Sequence, residues 1–240
     1  MPDIPIPGPG HTAKLPQDEL VAFLKAVPLF GGLDQESLSS LARVSREKHL
    51  SKGHILFLQD DPGDAAYLVY DGTIAISLNT PDGRELVINE MRAGDFFGEL
   101  ALFGGYLRSA SAIARTPCGV IRIPREEFLT LLETQPRLMR HLLETIAQRL
   151  RSSGERESAL AFQDAPARLA RFLTQRARLD SVSGDLAKLS QEEIAQHIGV
   201  TRQTVAKILG AWRRAGWIIT GRGRIMLVDQ GAITKLSKEY

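Results

Sequence analysis

The sequence predicts an α+β protein with a strand-rich N-terminal domain, one long helix and a small helical domain that ends in a β wing. From residue 47 to residue 123, apolar residues alternate in short runs that are separated by turn residues. Residues 135–164 contain no proline after Pro136 and space their apolar side chains by three and four. After Asp164 the pattern is helical up to a final hairpin, WIITGRGRIMLV.

Length and composition narrow the class of protein. The chain has 240 residues, enough for two modest domains, and its 43% hydrophobic and 24% charged content is ordinary for a globular protein. We find no apolar run of membrane-spanning length and no signal peptide, and we therefore expect a cytoplasmic protein without a membrane partner. Cys118 is the single cysteine, so disulfides and cysteine-based metal sites are unsupported within one chain. No catalytic group and no metal site is predicted.

The charge is distributed unevenly along the chain. Residues 165–240 contain 13 Lys and Arg against 6 Asp and Glu, whereas the rest of the chain contains 17 against 22. A basic C-terminal third next to an acidic N-terminal part indicates that only the C-terminal segment meets phosphates.

The N-terminal elements follow from composition and period. Residues 1–17, rich in proline, are predicted to be a disordered tail. A first domain then covers 18–133, with helices at 18–27 and 34–44 and a short helix from Pro124 to Leu132. Between the second helix and Pro124, closely spaced strands favour an antiparallel sandwich or barrel. The predicted strands are HILFL (54–58), AYLVY (66–70), TIAISL (73–78), RELVIN (84–89) and GVIRI (119–123).

The long helix, 134–163, carries the spacing of a dimer seam. Its seam positions are Leu143, Ile146, Leu150, Ser153, Glu157 and Leu160. A single helix cannot shield such an apolar stripe from water, so a second copy of the chain is the predicted partner. Ser153, Gly154 and Glu157 interrupt the seam, and this polar gap either sets the register of the dimer or leaves room for a ligand.

The last domain, 164–240, contains a pair of helices at 190–198 and 201–214. Ser190 and Glu193 form a capping box, Gly199 supplies the turn, and Thr201 can cap the second helix. Small Ala195 and the aliphatic side chains Ile194, Ile198, Val205 and Ile208 complete what a helix-turn-helix requires, whereas an ordinary helical hairpin usually lacks the full set.

A helix-turn-helix predicts a surface that binds double-stranded DNA. Arg202, Gln203 and Lys207 would face base edges, because Arg pairs with guanine and Gln with adenine in the major groove. The remaining candidates, placed for phosphates or at the helix cap, are Ser190, Thr201, Thr204 and the wing residues Arg222 and Arg224.

The stretch FGELALF (97–103), followed by Arg108 and Ser109, predicts an anion site. A short helix that opens after Gly98 would direct N–H groups at a phosphate, and Arg108 would add a charged donor. Glu99 can accept a hydrogen bond from a sugar hydroxyl. Taken alone, Glu99 and Arg108 could instead form a surface ion pair.

Together these motifs resemble the CRP/FNR family of bacterial transcription regulators over about residues 20–235. The matching segments are GDAAYLVYDG, FGELALFGGYLRSA, ALAFQDAPARLARFL and SQEEIAQHIGVTRQTVAKIL. The resemblance implies a β-roll sensor of the double-stranded jelly-roll type, a dimerisation helix and a winged helix-turn-helix.

The resemblance also implies roles for individual residues. Glu99 would bind the ribose hydroxyl of a cyclic nucleotide, and Arg108 and Ser109 its phosphate, within a cassette that includes Gly98 and Leu100. Arg149 would hold Glu99, and Ser153 would meet the adenine at the subunit seam.

The chain departs from the family pattern at three positions. Gly154 stands where the cAMP-responsive activator of the family has a second hydroxyl. Gln203 and Lys207 replace a glutamate and an arginine of that activator, so a different half-site is expected.

The resemblance implies a homodimeric transcription regulator of the activator type, with cAMP as effector, a pseudo-palindromic operator and RNA polymerase as a further partner. One alternative keeps DNA binding but leaves the pocket empty or fills it with another metabolite. The second alternative is a cyclic-nucleotide-binding regulatory subunit of an enzyme or channel.

Overall fold

The computed structural model describes residues 15–79, 85–179, 185–187, 189–221 and 224–237. The helices are α1 (Gln17–Ala26), α2 (Gln35–Val44), α3 (Arg125–Thr134), α4 (Pro136–Phe162), α5 (Ala165–Leu179), α6 (Gln191–Ile198), α7 (Arg202–Arg214) and α8 (Gln230–Ser237). The strands are β1 (Arg46–Leu50), β2 (Ile55–Phe57), β3 (Ala65–Asp71), β4 (Thr73–Asn79), β5 (Glu85–Arg92), β6 (Phe96–Phe97), β7 (Ser111–Ala114), β8 (Cys118–Pro124), β9 (Asp185–Ala187), β10 (Ile218–Gly221) and β11 (Arg224–Leu227).

The chain forms two compact units. The N-terminal unit comprises the residues up to Asn79 together with 87–148, and the C-terminal unit runs from Arg149 onward and includes Glu85 and Leu86. Helix α4 therefore contributes its first half to one unit and its second half to the other. The α+β class predicted from the sequence is confirmed.

Two four-stranded sheets form the β-roll of the N-terminal unit, in the orders β1-β8-β3-β6 and β2-β7-β4-β5. Antiparallel ladders join β8 to both β1 and β3, and β7 to both β2 and β4. The predicted strands are present, and β1, β6 and β7 complete the sheets. One apolar cluster fills the roll, and a second packs α1 to α3 and the start of α4 against it. Cys118 belongs to the roll cluster, and burial raises the pKa of its thiol to about 11, as expected for a packing residue.

Leu15 and Gln17 lie in the predicted tail but have a defined structure. Leu15 is buried, and its N–H donates to both carboxylate oxygens of Glu47 at 2.9 and 3.0 Å. Helix α1 then starts at Gln17. The predicted tail of residues 1–17 is thus wrong at its C-terminal end, because a long-range contact to β1 holds Leu15. Residues 1–14 lie outside the described part of the chain.

The C-terminal unit contains the predicted helix pair and the wing. Two elements were not predicted there: β9, which pairs with β11, and α8, which packs on α5. In the sequence, 179–188 looks like a polar loop, because a three-residue edge strand is too short to show an alternation of apolar and polar residues. Helix α8 buries Ile233 in the cluster formed by α5, α6 and α7.

Within the described residues, none of the helices combines the length and the apolar character that a bilayer crossing requires. The same residues hold no group of three or more His, Cys, Asp or Glu side chains placed for a metal ion.

Candidate functional site

The Arg108 guanidinium lies inside the β-roll and is held by backbone carbonyls. The residue is only 2% exposed. Its Nη1 donates to the Gly98 carbonyl at 2.7 Å and its Nη2 to the Ala65 carbonyl at 2.8 Å. Its Nε is buried and has no hydrogen-bond partner within the described residues. A buried donor without a partner costs free energy, so this N–H would suit an anion that reaches it.

Two aromatic rings support this guanidinium. Its central carbon lies 4.2 Å from the Phe57 ring centroid and 5.6 Å from that of Tyr67. The planar guanidinium can interact with ring faces while its edge donates hydrogen bonds, which an ammonium group cannot do as well. Phe57 and Tyr67 were not predicted as site residues, because their alternation on β2 and β3 is also that of ordinary core residues.

Glycine is required at position 98 for two reasons. Gly98 adopts φ +79°, in the left-handed region that other residues rarely adopt. A Cβ at this position would lie 2.8 Å from Nη1 of Arg108. The predicted short helix follows as a single 3-10 turn, Leu100–Leu102. The backbone can therefore approach the guanidinium closely and then turn.

Glu99 shares the buried environment of Arg108. It is 2% exposed and lies between β6 and the 3-10 turn. A surface ion pair of Glu99 and Arg108, the alternative left open by the sequence, is therefore wrong, because neither residue is at the surface. A buried carboxylate in a polar cassette is retained where it has a hydrogen-bonding role, as a ribose hydroxyl would provide.

Asp64 and Arg122 extend the charge cluster toward β8. The Oδ1 atom of Asp64 lies 3.6 Å from Nη2 of Arg108, and its Oδ2 accepts from Nη2 of Arg122 at 2.7 Å. Burial lowers the pKa of Arg108, and the charges of Tyr67 and Asp64 oppose that effect. Burial alone would raise the pKa of Asp64, but the hydrogen bond and charge of Arg122 outweigh it and hold the pKa below its ordinary value.

The remaining predicted ligand residues are not buried with Glu99 and Arg108. Ser109 and Leu100 are exposed on the N-terminal unit, next to the buried pair. Arg149, Ser153 and Gly154 belong to the C-terminal unit. Ser153 donates to Oε1 of Glu157 at 3.3 Å, and Gly154 is exposed with no atom within 4 Å of a Cβ built on it. Their roles toward a ligand remain predictions.

The helix pair is built as the sequence predicts. Ser190 accepts from the Glu193 N–H at 3.1 Å while Glu193 accepts from the Ser190 N–H at 2.7 Å, which closes the capping box. Gly199 ends α6 with φ 66°. Thr201 caps α7 by accepting from the Thr204 N–H. The predicted core residues Ile194, Ala195, Ile198, Val205 and Ile208 are all buried.

The candidate base-reading residues share one exposed face. Arg202, Gln203 and Lys207 are exposed in the first two turns of α7. The Thr204 and Thr201 hydroxyls lie 2.9 Å apart and are hydrogen-bonded to each other at the start of α7. Arg224 is exposed at the beginning of β11. Arg222 lies outside the described residues.

Gln191 is a further residue of this face that the sequence did not single out. It is the first residue of α6, and it lines an open groove with Thr201, Arg202, Gln203 and Ala206. Its position directly after the capping serine was the available signal, because the first helix of such a pair crosses the DNA backbone.

Both units match families of known domains. Residues 47–135 match the cyclic nucleotide-binding domain, and residues 167–236 match the Crp-like helix-turn-helix domain. The chain is 30% identical over 226 residues to the CRP-like cAMP-activated global transcriptional regulator of Mycobacterium tuberculosis, an alignment that covers 92% of this chain and all of that one. It is 33% identical over 174 residues to the cAMP-activated global transcriptional regulator CRP of Pasteurella multocida, covering 70% and 83% of the two chains.

A solved structure supports the same fold. A CRP/FNR-family transcriptional regulator from Eubacterium rectale superposes with a TM-score of 0.75 over 88% of this chain and 98% of that chain, at 18% identity. These relatives are transcription regulators and not enzymes. With a buried arginine and glutamate in a cyclic nucleotide-binding domain and an exposed basic helix in a Crp-like reader, the chain belongs to the CRP/FNR family of DNA-binding transcription regulators.

Proposed function

We propose that this protein is a homodimeric, cytoplasmic transcription regulator whose affinity for a pseudo-palindromic operator is controlled by cAMP. The observation that carries the proposal is the buried Arg108, whose Nε–H lacks a partner within the described residues and whose neighbour Glu99 is equally buried. A cyclic nucleotide supplies an anion for the first and a ribose hydroxyl for the second. The relatives from M. tuberculosis and P. multocida, both cAMP-activated by name, support this choice of effector.

The dimer is proposed from the exposed seam of α4. Leu143 and Leu150 are 59% and 73% exposed, and Leu160 is 43% exposed, all at the predicted seam positions. Three large aliphatic side chains on one stripe of a helix favour association with a second copy. In such a dimer Arg149 would hold Glu99, while Ser153 and Gly154 would line the base.

The proposed control is a shift between two arrangements of the dimer. An effector can move such an equilibrium only by binding one arrangement more tightly than the other. Ligand at the seam would favour the arrangement that sets the two α7 helices about 34 Å apart, one turn of DNA. Arg202, Gln203 and Lys207 would then read bases, Ser190, Thr201, Thr204, Arg222 and Arg224 would contact the backbone, and RNA polymerase would be the downstream partner.

A second candidate function keeps the DNA binding with a different effector. Gly154 favours it, because glycine offers no side-chain hydrogen bond to an adenine. Calorimetric titration with cAMP and cGMP separates the two candidates. Saturable heat with cAMP at micromolar concentrations supports the proposal, whereas no heat at millimolar cAMP would contradict it.

The cassette is tested by Arg108→Lys and Arg108→Ala. Lysine keeps the charge but cannot donate to two carbonyls and a phosphate from a fixed fork. We expect about tenfold weaker cAMP binding for lysine and a larger loss for alanine, since charge-assisted hydrogen bonds contribute about 1.5–3 kcal/mol each. The measurement is titration calorimetry after thermal unfolding has shown that each variant is folded.

The matched control is Arg137→Ala, which removes an exposed guanidinium from the same unit. It should bind cAMP as the unmodified protein does. Equal weakening by Arg137→Ala and Arg108→Lys would show that general charge, and not the cassette, determines the affinity.

A further inference from the structure

The junction between α4 and α5 is short and tightly bonded. Only Gln163 and Asp164 separate the two helices. Asp164 caps α5 by accepting from the Ala167 N–H at 2.9 Å, and its carbonyl accepts from the Arg168 N–H at 3.0 Å. Gln163 is buried. The direction in which α5 leaves α4 is therefore set by a few identifiable hydrogen bonds.

Arg168 connects this junction to the helix pair that reads DNA. Its Nη1 donates to the Gln163 carbonyl at 2.8 Å, and its Nε donates to the Ile198 carbonyl at 3.0 Å. Gln163 follows the last residue of α4, and Ile198 is the last residue of α6. One side chain thus donates to a backbone carbonyl at the C-terminal end of each of two helices. The two carbonyls belong to residues that are 35 positions apart in the chain.

Carbonyls at a helix C-terminus lack partners within the helix and attract cations. A guanidinium holds its N–H groups in a rigid plane, so it fixes the angle between two acceptors as well as their distance. A second hydrogen bond also ties α5 to α4. Nη2 of Arg171, one turn further along α5, donates to Oε2 of Glu155 on α4 at 3.0 Å. The α6 end at which Arg168 binds is followed directly by Gly199, the turn that leads into α7.

We infer that Arg168 is a positioning residue for DNA recognition, which fixes the orientation of the α6–α7 pair on the C-terminal half of α4 and thereby sets the spacing between half-sites that the dimer accepts. The inference rests on the proposed dimeric, operator-binding function. Arg168 touches no base in this scheme. It acts on the geometry of the reader, so its loss should relax the choice of spacing without changing how one reader binds one half-site.

The test uses full-length protein and an operator that the unmodified protein selects from random-sequence DNA. Fluorescence anisotropy then measures binding to that operator, to versions with one or two base pairs added between the half-sites, and to a single half-site. For Arg168→Ala we expect about fivefold weaker binding at the best spacing and a smaller penalty for the wrong spacings, with half-site affinity within about twofold. Arg168→Lys should restore the affinity only in part, because a lysine has no fixed fork.

The control is Arg151→Ala, which removes an exposed guanidinium from the same unit. It should leave the spacing profile unchanged. A uniform loss on every DNA, half-site included, or an unchanged spacing profile in Arg168→Ala would overturn the inference. If Arg168→Ala does not fold, the comparison is made with Arg168→Lys.

A readout without DNA separates this inference from the proposed function. Amide hydrogen exchange in Arg168→Ala should speed up at 164–168 and at 199–201, where the bonded segments lie, and remain unchanged in Arg151→Ala. Failure of the unmodified protein to select any DNA sequence would overturn the proposed function alone, whereas unchanged exchange at both segments would overturn the role of Arg168.

Discussion

At the scale of single residues, the candidate anion site is defined by how the β-roll accommodates one buried positive charge. Arg108 is surrounded by two carbonyls, an aromatic ring at 4.2 Å and the Asp64 carboxylate at 3.6 Å. Burying a charge is costly unless it is hydrogen-bonded and paired, and this set of contacts offsets the cost, although the Nε–H has no partner within the described residues. An arginine can make all of these contacts at once because its donors lie in one plane.

Asp64→Asn should make the stability of the protein less dependent on pH. The folded state lowers the pKa of Asp64 below its ordinary value of 3.8. Its contribution to stability is therefore present above that value and is lost as the pH falls through the lowered pKa. Thermal unfolding from pH 7 to pH 2 should show the variant less stable than the unmodified protein at pH 7 and equally stable at the acid end.

The control is Asp60→Asn, which removes the same charge from the same loop. Asp60 has φ 67°, a conformation that asparagine also tolerates. A stability difference for Asp64→Asn that is constant over the whole pH range would show that the effect is steric and not the ion pair.

Arg202→Ala should weaken specific DNA binding by about 1–3 kcal/mol and leave nonspecific binding largely intact, because a bidentate contact to guanine discriminates by that amount. Arg202 is exposed at the first position of α7 and lines the groove beside Gln203. Anisotropy on operator and scrambled DNA at one fixed salt concentration measures both effects. An equal loss on both DNAs would show that Arg202 contacts only phosphate.

At the scale of elements, α4 combines two surfaces. In its first half Leu138 and Leu142 are buried in the core of the N-terminal unit, while Leu143 is exposed; Leu150, in the second half, is exposed as well. In the middle of the helix the apolar stripe gives way to Ser153 and Gly154. A seam that loses its apolar side chains over one turn provides space and polarity rather than packing, which is what a ligand at the seam would need.

Gly154→Ala should stabilise α4. Glycine in a helix interior costs about 1 kcal/mol relative to alanine, and no atom lies within 4 Å of a Cβ built at this position. Thermal unfolding should show a rise in Tm of about 2–4 °C for a chain of this size.

The dimer affects the outcome for Gly154→Ala. A lower Tm combined with a loss of dimer on gel filtration would show that the seam requires glycine at this position for close approach of the second copy. Unchanged cAMP binding in a stabilised variant would show that a side chain at position 154 neither contacts nor blocks the ligand.

At the scale of the whole molecule, the proposed control depends on the two units being joined through α4 and on two copies of α4 associating. Each unit has its own apolar core, and the basic residues predicted to meet DNA belong to the C-terminal unit. A half-site read by one such unit binds weakly, and simultaneous binding of two half-sites raises the affinity without new contacts.

Leu150→Glu should therefore abolish the dimer and, with it, tight operator binding. Leu150 is 73% exposed, so a glutamate can be solvated in the monomer but would be buried with its counterpart in the seam. Analytical ultracentrifugation should show a folded monomer, and operator binding should fall to the level of a single half-site. A folded dimer with normal operator affinity would place the association surface elsewhere.

The sequence alone determined the elements whose signals are local. Ser190, Glu193, Gly199 and Thr201 lie within twelve residues of one another, and each acts on backbone next to itself, so the helix pair could be predicted with its caps. The long helix and most of the β-roll strands were likewise predictable from their apolar period. Glu99 and Arg108 could be predicted as a candidate nucleotide site, a carboxylate for a sugar hydroxyl and an arginine for a phosphate, because the cassette is short and its residue types are distinctive.

Tertiary structure decided the features that depend on contacts between distant segments. Leu15 is held by Glu47, β9 exists because β11 pairs with it, and Arg168 acquires its role from Ile198, thirty residues away. Phe57, Tyr67 and Asp64 became neighbours of Arg108 only once the roll had brought their segments against it. Periodicity and caps report what a residue does to its own backbone, whereas a buried charge takes its partners from whichever strands the fold places around it.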